Sequence, residues 1–135
     1  MRLSPPEGSC KYTPHCGPVA IAATIGTDVG TVMDLFREMY HKRGNWKGRS
    51  YFFELSGFLS FFGYDNRTYN MKRSCTLEKW VDLYSVWNAR YILRTGGHFV
   101  AVHRGIVTDQ SECCPASEHH SRRKIVKNVM EVSVE

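Results

Sequence analysis

Nine consecutive residues constrain this chain more than any others: GPVAIAATI, from Gly17 to Ile25. Val19, Ala20, Ile21, Ala22 and Ala23 leave a helix of this sequence apolar on nearly every side. Such a helix has to be enclosed by other elements or by lipid. It falls well short of the ~18 apolar residues that span a bilayer, and no other stretch of the chain reaches that length. The chain must therefore wrap this helix inside a layered domain. Pro18 fits its first turn, where a missing N–H costs nothing. The residue that opens it, Cys16, has two readings. A free cysteine is a small hydrophobe that packs well. At a helix N-terminus it also faces unpaired N–H groups and the positive end of the helix dipole, which favour a thiolate.

The 135 residues, 42% of them hydrophobic, fit one domain spanning 1–135. A domain of this size buries roughly two thirds of its unfolded surface, so neither disulfides nor a metal are required for folding. The five cysteines are odd in number and read as free thiols. The opening MRLSPPEGSC lacks the apolar core of a secretory signal, which predicts a soluble, cytoplasmic protein with no membrane partner. A net charge of +5 gathers partly at Lys42, Arg43, Lys47 and Arg49 and partly at Arg122, Arg123 and Lys124. Stacking aromatics do not interleave with these clusters, so they read as solvated surface rather than a nucleic-acid groove.

Periodicity then predicts the remaining elements. A second helix capped by Thr27 buries Val29, Val32, Met33 and Phe36. A third runs from Ser50 to Phe62 and ends at Gly63, and a fourth, capped by Thr76, carries Leu77, Trp80, Val81 and Tyr84. Burial accounts for these aromatic faces without a cofactor. Arg67 to Met71 alternates weakly as a short strand. Tyr91 to Leu93, His98 to Val102 and Ile106 to Asp109 form strands around Gly96-Gly97 and a turn at Arg104-Gly105. Cys113 to Arg123 is read as a polar loop, and Val126 to Val134 as a last strand. Helices first and an antiparallel sheet second predict an α+β fold.

A thiol nucleophile needs a base, and the base needs a group that fixes its ring. If Arg104 and Gly105 make a two-residue turn, His98 faces Ser111, with Asp109 a diagonal neighbour on the same face. With His103 and Arg104 as the loop, His98 faces Asp109 directly. Only a three-residue loop separates the two. The stretch CCPASEHH, residues 113 to 120, offers two cysteines and two histidines. Adjacent pairs of ligands rarely converge on one tetrahedron, so no metal is expected there.

A Cys-Gly opening a buried, alanine-rich helix, followed later by Gly-His-hydrophobic-Val-Ala-Val, a turn and Gly-Ile-Val-Thr-Asp, resembles the papain-like cysteine peptidases. It is similar in particular to double-glycine leader peptidases of bacteriocin export and to small papain-like proteins encoded by bacteriophages. The resemblance follows the order of elements from residue 12 to 110. It implies a nucleophile helix packed on a small C-terminal antiparallel sheet. Cys16 would be the nucleophile, His98 the base and Asp109 the residue that orients it, with no cofactor and no metal. Such a protein would hydrolyse a peptide or isopeptide bond. The glutamine that these peptidases carry about six residues before the cysteine is replaced by Cys10, which leaves Tyr12, Thr13 and His15 as candidate oxyanion donors beside the Cys16 N–H. That departure supports an alternative: a weak or inactive binding module, such as a phage protein that blocks a host enzyme or defence factor.

Overall fold

The computed structural model describes residues 3–11 and 13–134. Its elements are α1 (Cys16–Ile25), α2 (Val29–Tyr40), α3 (Phe52–Phe61), β1 (Asn66–Asn70), α4 (Leu77–Tyr84), β2 (Arg90–Thr95), β3 (His98–His103), β4 (Ile106–Thr108), β5 (Cys113–Pro115), a 3₁₀ turn (Ala116–Glu118) and β6 (Asn128–Val132). The strands form one six-stranded antiparallel sheet in the order β1-β6-β2-β3-β4-β5. The α+β class is as expected. The sheet, however, is not wholly C-terminal, because β1 precedes α4 and pairs with the last strand along its whole length.

Strand alternation explains how the sheet holds its helices. Ile92, Phe99, Ala101, Met130 and Val132 pack into one cluster with Val19 to Ala22 of α1, Phe36 of α2 and Phe58 of α3. Their neighbours Tyr91, Leu93, Val100, Val102 and Val129 pack into a second cluster with Leu77 and Trp80 of α4. The central strands are therefore apolar on both faces, and the side-chain period of two sends successive residues to opposite layers. On one side Phe36 stacks on Phe58 and on Trp46, with ring centroids 5.3 and 5.4 Å apart. On the other, Trp80 meets Tyr91 edge to face at 4.9 Å.

Two local expectations need correction. Asp28, not Thr27, caps α2, through a bond from the Thr31 N–H of 2.8 Å. Thr27 still donates its N–H to the Ala22 carbonyl, so its backbone is occupied in closing α1. The stretch from Cys113 is not simply a loop: Cys113 and Cys114 pair with Thr108 and Val107 and are buried as small hydrophobes. The 3₁₀ turn follows directly. The remaining boundaries shift by a residue or two, with Gly63 at φ 88° beyond the end of α3 and Arg104-Gly105, both at positive φ, forming the tight turn of the β3–β4 hairpin. Among the described residues, no single helix is long and apolar enough to cross a membrane.

Candidate active site

Cys16 is the first residue of α1, and the chain is built so that the helix comes close to its surroundings there. A Cβ placed on Gly17 would stand 2.2 Å from Ser50 Oγ and 3.0 Å from Leu55 Cδ2, so only glycine fits beside the cysteine without displacement. Gly48, at φ 112°, lies against His15, where a Cβ would come within 2.4 Å of the histidine's own Cβ. The loop that carries Gly48 is pinned by Trp46, whose Nε1 donates to the Arg49 carbonyl at 2.7 Å. Lys42 bridges to the buried carboxylate of Glu54 at 2.8 Å, which ties the end of α2 to α3.

The segment before Cys16 is fixed by two side chains. His15 Nε2 accepts the Cys10 N–H at 3.1 Å, so that nitrogen offers a lone pair and cannot donate to an oxyanion. Burial also lowers the His15 pKa below its ordinary value. Gln110 Nε2 donates to the carbonyls of Thr13, Lys11 and Cys10, at 2.7, 2.8 and 3.2 Å. It is the only glutamine in the chain, and it reaches the cysteine loop from the far end of the β-hairpin. Of the other donor candidates, Thr13 lines the same cleft as Cys16, and Tyr12 lies outside the described residues.

Two opposed influences act on the Cys16 thiol. Burial pushes its pKa up, and the negative charge of Asp109 adds to that push. Backbone N–H groups of Phe99, Gly17 and Cys16 itself face the sulfur and pull the other way, but burial dominates. The thiol is thus held protonated, in contrast to the lowered pKa that a helix N-terminus alone predicts. Two of these N–H groups belong to the opening of α1. The first turn of a helix leaves its N–H groups without partners inside the helix. Pro18 has none to offer, which leaves those of Cys16 and Gly17.

His98 and Cys16 line one cleft of about 580 Å³, together with Lys11, Thr13, Pro14, Arg49, Ser50, Tyr51, Gly97, Phe99 and Gln110. That size suits a ligand-binding pocket. By strand parity His98 belongs with Val100 and Val102, on the face turned away from α1. It reaches the cleft because it is the first residue of β3, at the open end of the strand, paired only with Thr95 on β2. The imidazole is exposed, and among the described residues no hydrogen bond engages it.

Asp109 stands elsewhere. The turn register makes Arg104-Gly105 the loop residues, as one of the two expected registers had it, and the ladder stops at Ala101↔Thr108. Past that point the chain turns, with the Asp109 N–H donating to the Glu112 carbonyl at 2.9 Å. Asp109 Oδ1 accepts the N–H groups of Ser111 and Glu112, both at 2.8 Å. Its Oδ2 meets His120 Nε2 at 2.5 Å and His119 Nε2 at 3.5 Å. No hydrogen bond joins Asp109 to His98; the Ser111 and Glu112 N–H groups and the His120 imidazole already engage the carboxylate. Burial alone would push the Asp109 carboxyl up, but the His119 imidazole and the Ser111 and Glu112 N–H groups hold it well below the usual carboxylate range. His120 is the nearer histidine, at 2.5 Å, and the wholly buried His119 stands beside it.

These three residues were invisible as a group in the sequence. Their ligand atoms lie within 4.8 Å of one another, a spacing that a metal ion could bridge. The Ser121 N–H donates to His119 Nδ1 at 3.0 Å. A neutral imidazole that accepts at Nδ1 carries its hydrogen on Nε2, which then has no lone pair for a metal. The geometry is that of a clasp closing the 109–121 segment, held by the contact of Asp109 with His120. The cysteines of CCPASEHH do not join it: Cys113 and Cys114 are paired with Thr108 and Val107 in the β4–β5 ladder. No protein-family model, no curated protein and no solved structure matches this chain.

Proposed function

We propose that this protein is a small cysteine hydrolase of papain-like organisation, acting on a peptide or isopeptide bond in the cytoplasm. The observation that carries the proposal is the single cleft shared by the helix-opening thiol of Cys16 and the exposed imidazole of His98. In this reading His98 works as a general base. It takes the proton from Cys16 Sγ as the sulfur attacks the carbonyl carbon, and then gives it to the nitrogen as the C–N bond breaks. Water, deprotonated by the same imidazole, then hydrolyses the thioester and restores the thiol. The N–H groups of Cys16, Gly17 and Phe99 supply the preorganised donors for the negative charge.

Because burial pushes the Cys16 pKa up, the thiol gives up its proton as it attacks rather than resting as a preformed thiolate. Asp109, in place of the orienting role that the family resemblance implies, anchors the turn from which Gln110 holds the cysteine loop. A chain with this activity cleaves a susceptible peptide, and Cys16→Ala and His98→Ala each lower turnover by about 10²-fold or more. Full turnover in the Cys16→Ala protein, read by mass spectrometry of peptide products, overturns the assignment.

A second reading has its own observations in the raised thiol pKa and the diverted carboxylate. On it the scaffold is a binding module without turnover, such as a phage protein that occupies a host enzyme or defence factor. Its partner stays bound with equal affinity when Cys16→Ala removes only the sulfur.

A further inference from the structure

The cleft at Cys16 continues beyond the thiol. Ser50, Tyr51, Gly97 and Phe99 line it and also a second hollow, completed by Phe52, Phe53, Arg94 and Gly96. The two make one groove across the start of α3 and the β2–β3 turn. Its rim is aromatic: Tyr51 and Phe53 are 67% and 71% exposed, and their rings stack at 5.6 Å. Large rings left in solvent beside the Cys16 thiol are costly to a lone surface and mark a place where something binds. Gly97 has open space where a side chain would stand, so a backbone can lie against the turn.

The groove also carries one sign of charge. Lys11, Arg49 and Arg94 line it, and among the described residues no aspartate or glutamate does. Arg94 is held by neutral partners, the Asn128 side-chain oxygen at 2.5 Å and the Gly96 carbonyl at 2.7 Å, so its charge is not cancelled where it stands. A low-dielectric wall beside the charge of Arg94 concentrates the field on an incoming anion.

We infer that this groove binds an extended peptide bearing acidic side chains next to aromatic or large aliphatic ones, and presents its backbone to Cys16. The inference rests on the hydrolase reading and adds the substrate class. Arginines beside stacked rings also suit single-stranded nucleic acid. The groove leads to a thiol, however, and a thiol's target is an acyl carbon, which a peptide supplies and a nucleotide chain does not.

The test is fluorescence polarisation on Cys16→Ala protein at low salt, with fluorescein-labelled ten-residue peptides. One alternates Glu and Phe, a second replaces Glu by Lys, a third replaces Phe by Ser, and a ten-nucleotide oligothymidylate is the fourth probe. The Glu/Phe peptide is expected to bind at least about tenfold more tightly than each of the others. Arg49→Glu and Phe53→Ala, both at exposed positions where the fold is not at stake, each weaken it by about tenfold. Equal binding of the Lys peptide, no binding of any peptide, tighter binding of the oligonucleotide, or indifference to both substitutions overturns the inference. If the Glu/Phe peptide binds as expected and wild-type protein leaves it intact, the groove stands and the hydrolase reading falls.

Discussion

Cys16 and Asp109 are both placed by their backbones, and in each case the neighbours decide what the side chain can do. The N–H groups around the sulfur favour an anion, while burial and the nearby carboxylate oppose it. The outcome is a thiol that needs a base at the moment of attack. Asp109 has the reverse balance, since donors on both of its oxygens outweigh the burial that would protonate it. Its pKa is lower in the folded chain than the ~3.9 of an unfolded aspartate. The stability it contributes is therefore full above that ordinary range and is lost as pH falls through it toward the folded value. Asp109→Asn is expected to cost about 1–3 kcal/mol at pH 7, because buried donors lose a charged acceptor. Urea unfolding of both proteins from pH 7 down to pH 2 checks this. The gap should narrow with acid, and a constant gap would mean that the charge contributes nothing.

At the level of elements, α1 is the piece whose sequence dictated its position. Its all-round apolarity required enclosure, and the Cys-Gly-Pro opening is explained by the close approach of Ser50 and Leu55. Alanine normally favours a helix over glycine by ~1 kcal/mol. At position 17 the added carbon collides instead, and Gly17→Ala is expected to destabilise by about 1–3 kcal/mol. Ser50→Gly in the same protein should recover part of that loss in chemical denaturation. A Gly17→Ala protein more stable than wild type would show that the wall yields freely. The β3–β4 hairpin was legible as a hairpin with two possible registers, and the structure takes the one with Arg104-Gly105 as the turn. Parity placed His98 and Asp109 on one sheet face. What parity lacks is the end of the ladder: once pairing stops at Thr108, Asp109 follows its own turn, and its partners come from the 119–121 segment, whose polar composition gave no sign of order. Gln110 was hidden for the same reason, since its contacts lie about a hundred residues upstream.

Across the whole molecule, one sheet with two apolar faces separates two tasks. The α1 face carries the nucleophile helix and the aromatic wall formed by Phe36, Trp46 and Phe58, and the α4 face holds Trp80 and Tyr91. The cleft forms at the end of the sheet where the start of α1, the start of β3 and the 44–51 loop meet. This division puts thiol and imidazole at one solvent-facing mouth without costing the core a buried charge. The most direct test of that arrangement is the rate at which an activated ester acylates each cysteine near neutral pH, resolved by peptide mass spectrometry in wild-type and His98→Ala protein. The account predicts that Cys16 is acylated fastest of the five cysteines and that the rate falls about 10²-fold without His98. An unchanged rate in His98→Ala, or acylation centred on another cysteine, would contradict it.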